Sequence, residues 1–188
     1  MTAIFEKDKK FKESIGAFII AFSELEYGLV DLGLMTVCDL RKKDDYLLTH
    51  IGYPFEKKVK NITDFIDESL IELKPIWDKL KNEIGQLNRE RRFIAHGFSQ
   101  SFLPNESITI HIKEGKKLSS KKMDIKTIND LTNRLRHLMT GENGINGEFH
   151  ILFTKMRINK WNELVNDNNK ITYRVNNKIE TVWKGINK

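Results

Sequence analysis

The stretch PIWDKLKNEIGQLNRERRFIAHG, residues Pro75 to Gly97, decides how the chain is read. Trp77, Leu80, Ile84, Leu87 and Ile94 recur by threes and fours, the spacing of one face of an α-helix. Pro75 suits the first turn of that helix and Gly97 a position just past its end. The same progression asks for an apolar residue at position 91, and the sequence supplies Arg91. At ~100° per residue Arg91 falls in the middle of the apolar stripe, where a guanidinium is costly unless it is paired or hydrogen-bonded.

Two helices are expected ahead of this one. Phe11, Ile15, Phe18, Phe22, Leu25, Leu29 and Leu32 form a single stripe that the Arg41–Asp45 charge cluster ends. After Pro54, a second stripe runs through Phe55, Val59, Ile62, Phe65, Ile66 and Leu70. Within the first helix Glu26 lies, by the same count, between Ile15 and Ile19 on the apolar face. Arg91 and Glu26 together read either as a structural ion pair or as the place where a cleft or subunit interface opens.

Behind Gly97 the period changes. Ile108, Ile110 and Ile112 alternate with polar residues as a half-buried strand does. Glu114–Lys117 is a turn, and Leu118 to Met123 is the return strand of a small hairpin. Ile125, Ile128, Leu131, Leu135 and Leu138 restore the helical period, and Gly141–Gly147 is a loop. Phe149, Leu152, Phe153, Met156, Trp161, Leu164 and Val165 fit a further helix. In the tail, Ile171, Tyr173 and Val175 alternate, whereas Ile179, Val182 and Trp183 suit a helix. The expected fold is mainly α, an antiparallel helical bundle with a small β-hairpin insertion after the third helix. Residues 1–141 are expected to form the helical domain, with 142–188 a C-terminal helical extension packed on it.

Composition bounds the function. With 188 residues, 39% apolar and 31% charged, the chain is of ordinary globular type, and it carries one cysteine and three prolines. A disulfide scaffold is excluded, and so is a Pro-rich linker protein. The longest apolar run, Ile15 to Phe22, is far short of the ~20 residues of a membrane span. Glu6, Lys7, Asp8, Lys9 and Lys10 stand where a signal peptide would be apolar, so a cytoplasmic protein with no membrane partner is expected. Charge is uneven: residues 1–73 hold 10 basic and 14 acidic side chains, residues 74–188 hold 22 and 12. A basic second part favours a polyanionic partner, against the plainer reading that lysines merely solubilise.

Several patterns carry no chemistry. Gly141, Gly144 and Gly147 do not follow a strand and lack the lysine of a phosphate loop. Cys38 is solitary, and His50, His96, His111, His137 and His150 show no zinc-ligand spacing, so neither metal nor cofactor is expected. His111 is expected on the exposed face of its strand. His96 is different: it ends the third helix beside Asn88, Arg89, Arg91 and Arg92. An imidazole that moves a proton and a guanidinium that meets phosphorane charge are what RNA cleavage without a metal needs.

Arg91-Arg92-Phe93-Ile94-Ala95-His96-Gly97 resembles the Arg-Asn-x-x-Ala-His-Gly signature of the HEPN superfamily (higher eukaryotes and prokaryotes nucleotide-binding domain). Phe22-Ser23-Glu24-Leu25-Glu26 is similar to the Phe-x-x-Leu-Glu of that family's opening helix. The resemblance covers roughly the first two-thirds of the chain. It implies a helical bundle that forms a homodimer with two Arg/His motifs facing each other, and a metal-independent endoribonuclease acting as a toxin or anti-phage effector, with an antitoxin or defence partner. On matching positions it implies His96 and Arg91 as catalytic residues and Glu26 as a polar partner orienting one of them. Arg89, Arg92 and Asn88 are the expected RNA contacts. Two departures are visible: Arg92 replaces the usual Asn, and Phe98 stands where the nucleotidyl-modified subset has tyrosine. The alternatives are a catalytically silent module that binds RNA, nucleotide or protein, and a structural dimerisation protein in which Arg91 and Glu26 are only an ion pair.

Overall fold

A computed structural model describes residues 2–36, 43–99, 107–141, 147–166, 170–175 and 178–184. The chain is mainly helical with small antiparallel sheets. Helix α1 spans Thr2–Leu34, α2 Lys43–Ile51, α3 Phe55–Ser69, α4 Lys74–His96, α5 Ile125–Thr140 and α6 Glu148–Leu164. Strands β1 (Phe98–Ser99), β2 (Ser107–Glu114) and β3 (Lys117–Asp124) form one sheet in that order. Strands β4 (Val165–Asn166), β5 (Lys170–Val175) and β6 (Lys178–Lys184) form a second. The chain falls into two compact units, residues 1–25 with 79–147, and residues 26–78 with 148–188.

In the first unit the apolar stripes read from sequence are the buried faces. Phe18, Phe22 and Leu25 of α1, and Leu80, Ile84 and Leu87 of α4, are almost wholly removed from water. From the sheet come Ile110, Ile112 and Met123, and from α5 come Ile128, Leu131, Leu135 and Leu138. The β2–β3 hairpin pairs Ile108 with Met123 and Glu114 with Lys117, so its loop is Gly115-Lys116. Gly115 has φ +60°, the left-handed conformation that a two-residue hairpin loop demands and glycine takes without steric cost. Asp124 then caps α5, its carboxylate accepting the Thr127 N–H at 2.6 Å. That bond holds the Asp124 carboxyl below its ordinary pKa. Gly141, at φ +70°, ends α5 and donates its N–H to the His137 carbonyl.

The second unit buries Leu29, Val30, Leu32 and Leu34 of α1, Ile62 and Ile66 of α3, Trp77 of α4, and Phe149, Leu152 and Met156 of α6. Trp77 has its indole N–H satisfied by the Thr63 hydroxyl at 2.9 Å, as a buried tryptophan requires.

The structure departs from the sequence reading in four places. Of the charge cluster, Lys43, Asp44 and Asp45 open α2, a nine-residue helix too short for its apolar residues to stand out as a stripe. Residues 37–40, and Cys38 with them, lie outside the described residues. On α3 the buried position is Lys58 while Val59 is only half-buried; a lysine fills an apolar face with its methylene stem. Beyond Leu164 the extension from 142 onward is not helical: β4–β6 follow, and Ile179, Val182 and Trp183 belong to a strand. Strand periodicity already present at Ile171, Tyr173 and Val175 extends through that segment, since β6 pairs with β5. Of the 141–147 loop, residues 142–146 lie outside the described residues. Finally, Gly97 does not take a left-handed φ. A Cβ there would stand 2.1 Å from Ile110 Cγ2 and 2.3 Å from the Phe93 carbonyl oxygen, so close approach of β2, not helix termination, requires glycine.

Candidate functional site

The third helix of the sequence reading is α4, and its last two turns carry the site. Leu87 and Ile94 bury the flanking steps of the stripe, and Arg91 between them is half-buried. The guanidinium tolerates the position because two neighbours in the same unit receive it. Its Nε donates to Asn88 Oδ1 at 3.2 Å, one turn earlier on α4. Its Cζ stands 5.1 Å from the centroid of the Phe22 ring of α1, a cation–π contact. Both contacts leave the terminal guanidinium nitrogens available to a further acceptor more readily than a bidentate carboxylate would.

His96 is the last residue of α4 and is exposed. The helix closes there because the Gly97 N–H bonds back to the Phe93 carbonyl at 2.9 Å and the chain enters β1 at Phe98. Arg89 and Arg92 are exposed on the same two turns, with Arg92 four residues before His96. Asn88 is buried, and its carboxamide oxygen accepts from the Arg91 guanidinium. Glu26 is half-buried on α1 and belongs to the other compact unit.

Two anchors for this end of α4 escaped the sequence reading. Glu90 accepts Lys121 of β3 with both carboxylate oxygens at 2.5 Å. Glu83 accepts Arg134 of α5 at 2.6 and 3.0 Å, with Gln86 adding a contact at 3.3 Å. The available signal was the progression Glu83, Gln86, Glu90, a polar line at helical spacing beside the apolar one. Partly exposed pairs of this kind add little stability each, but three such contacts fix the helix against the sheet and α5. His111 is half-buried, not fully exposed, and its Nδ1 lies 2.7 Å from the Ser120 hydroxyl directly across the hairpin.

Among the described residues no group of three or more His, Cys, Asp or Glu side chains is placed to hold a metal ion. No described helix is long and apolar enough to cross a membrane. Compared with known proteins, the chain matches no family model, no curated protein and no solved structure.

Proposed function

We propose that this chain is a metal-independent endoribonuclease of HEPN type whose chemistry is carried by Arg91 and His96. The observation that carries the reading is the contrast within five residues of α4. The arginine is fixed by Asn88 and Phe22, while the histidine stands exposed at the helix end. A fixed guanidinium meets charge that develops on a phosphoryl group, and an exposed imidazole has a nitrogen placed to accept a proton and return one. His96 takes the proton of a ribose 2′-hydroxyl as the 2′-oxygen bonds to the adjacent phosphorus. The bond from phosphorus to the 5′-oxygen breaks, and a protonated imidazole returns a proton to that leaving oxygen. The products are a 2′,3′-cyclic phosphate and a 5′-hydroxyl.

A homodimer that faces two such motifs toward each other supplies the second imidazole, and an isologous contact achieves this with one surface. A helical bundle of the family type, a toxin or anti-phage role, and an antitoxin or defence partner belong to the same proposal. The binding-only reading draws on the exposed Arg89 and Arg92, which need no proton carrier to hold phosphate. The test is to incubate purified protein with RNA in excess EDTA, beside the same sequence bearing one 2′-deoxyribose at the cleaved position. Cleavage of the first and survival of the second is expected. Binding without cleavage assigns the silent module instead.

A further inference from the structure

The β2–β3 hairpin has two unlike faces. In an antiparallel ladder, directly opposed residues share a face and neighbours along a strand alternate. The inner face carries buried Ile110, Ile112 and Met123, and its Lys121 is neutralised by Glu90 of α4. The outer face carries Thr109, His111 and Lys113, with Lys122, Ser120 and Leu118 opposite them. Lys113, Lys122 and Ser120 are exposed, and Leu118 is 64% exposed. Among the described residues neither Lys113 nor Lys122 has a carboxylate partner. The acid that ends this face, Asp124, is committed to capping α5. Of the hairpin's five lysines, Lys121 is thus spent on the fold, Lys116 and Lys117 lie at the turn, and Lys113 and Lys122 present charge on the outer face.

That face begins at the proposed site. Phe98, two residues beyond His96, is the register partner of His111, and a Cβ on Gly97 would lie 3.3 Å from the His111 carbonyl oxygen. Strand β2 extends about 25 Å at ~3.3 Å per residue, enough for a short run of nucleotides. Two cations with an exposed leucine between the strand ends suit a strand whose bases are unstacked, since phosphates meet lysine and bases meet apolar surface.

We propose that the outer face of the β2–β3 hairpin, with Lys113 and Lys122 on either side of His111, is a track for single-stranded RNA leading to the Arg91/His96 end of α4. The proposal rests on the ribonuclease reading for the fate of the RNA, and binding tests it separately. Anisotropy of a labelled, unstructured RNA of about 20 nucleotides is measured on the His96→Ala chain, which holds the strand without consuming it. Lys113→Glu/Lys122→Glu should weaken the complex by roughly 10- to 100-fold. Its slope of log affinity against log salt should flatten by about 1.4, two phosphate contacts at ~0.7 each. Lys113→Gln/Lys122→Gln should show the same slope change with a smaller loss, which guards against misfolding of the reversed pair. A matched reversal at exposed Lys155 and Arg157, in the other unit, should cost less than about threefold.

Equal losses in the hairpin and control pairs overturn the track, because net charge alone then explains binding. A duplex of the same sequence bound as tightly, or an acidic peptide competing as well as RNA, also overturns it. If the unsubstituted chain cleaves RNA but the hairpin pair binds it undiminished, the track falls and the ribonuclease reading stands. If the chain binds RNA through the hairpin and never cleaves it, the track stands and the ribonuclease reading falls.

Discussion

His96 and His50 are both helix-terminal histidines with cations nearby, and they differ in what their rings are already doing. In the second unit the His50 ring stacks on Tyr46 with centroids 3.4 Å apart and lies 4.5 Å from the Tyr53 ring. Its Nδ1 is 2.8 Å from the Tyr46 carbonyl oxygen, and Lys57 sits over Tyr53 at 3.5 Å. Gly33 is a glycine because a Cβ there would stand 2.0 Å from the Tyr46 hydroxyl oxygen. The three rings are half-buried against one another, so His50 is engaged in packing. His96 is exposed, and beside it Arg91 is held without a carboxylate in the contacts of its unit. A residue type suggests chemistry only where the fold leaves its reactive atoms unused.

The largest difference between the two histidines is kinetic. His96→Ala should slow RNA cleavage by roughly 10²–10⁴ with little change in melting temperature. His50→Ala should do the reverse, losing about 1–2 kcal/mol of stability while cleavage per folded molecule persists. Rates normalised to folded protein, beside thermal melts, read both. If the two variants lose activity equally, exposure does not separate the two histidines.

Gly97→Ala comes next. The added methyl must displace Ile110 or the Phe93 carbonyl, and overpacking of this kind costs about 1–3 kcal/mol in denaturant unfolding. It should also move His96 and depress cleavage more than stability alone explains. Unchanged stability would show that β2 does not press on the end of α4.

The smallest effects are pH-dependent. Burial pushes the Tyr46 hydroxyl up from 10.0 to about 12, against a hydrogen bond with Thr36 that lowers it. Between those values the folded chain keeps a proton that the unfolded chain has released. The contribution is therefore complete below pH 10.0 and is lost as pH rises through about 12. Tyr46→Phe should remove that slope from melting temperatures measured between neutral and strongly alkaline pH. Asp124 runs the other way: its lowered pKa stabilises the fold above the ordinary carboxylate range, and Asp124→Asn should blunt the loss as pH falls below it.

Much of this was legible before any coordinates. The stripes of α1, α4 and α5 are long and strictly periodic, so burial alone determines their buried faces. The anomaly of Arg91 was visible for the same reason: a regular pattern makes its exception conspicuous. What receives the guanidinium was not visible, because Asn88 looks like any polar residue beside an arginine, and Phe22 comes from another helix. Gly97 was legible as a glycine, but not its cause, since the approach of Ile110 is a tertiary event. Helix α2 was missed because nine residues with two acids in the first turn carry no stripe; Tyr46 and Gly33 meet only once the chain is folded.

The most direct test of the central claim, that Arg91 and His96 cleave RNA by attack of the ribose 2′-hydroxyl, is the identity of the ends left by the unsubstituted chain in excess EDTA. The account predicts a 2′,3′-cyclic phosphate on one fragment and a 5′-hydroxyl on the other. A 3′-hydroxyl with a 5′-phosphate would contradict it, because water and not the 2′-oxygen would then have attacked phosphorus.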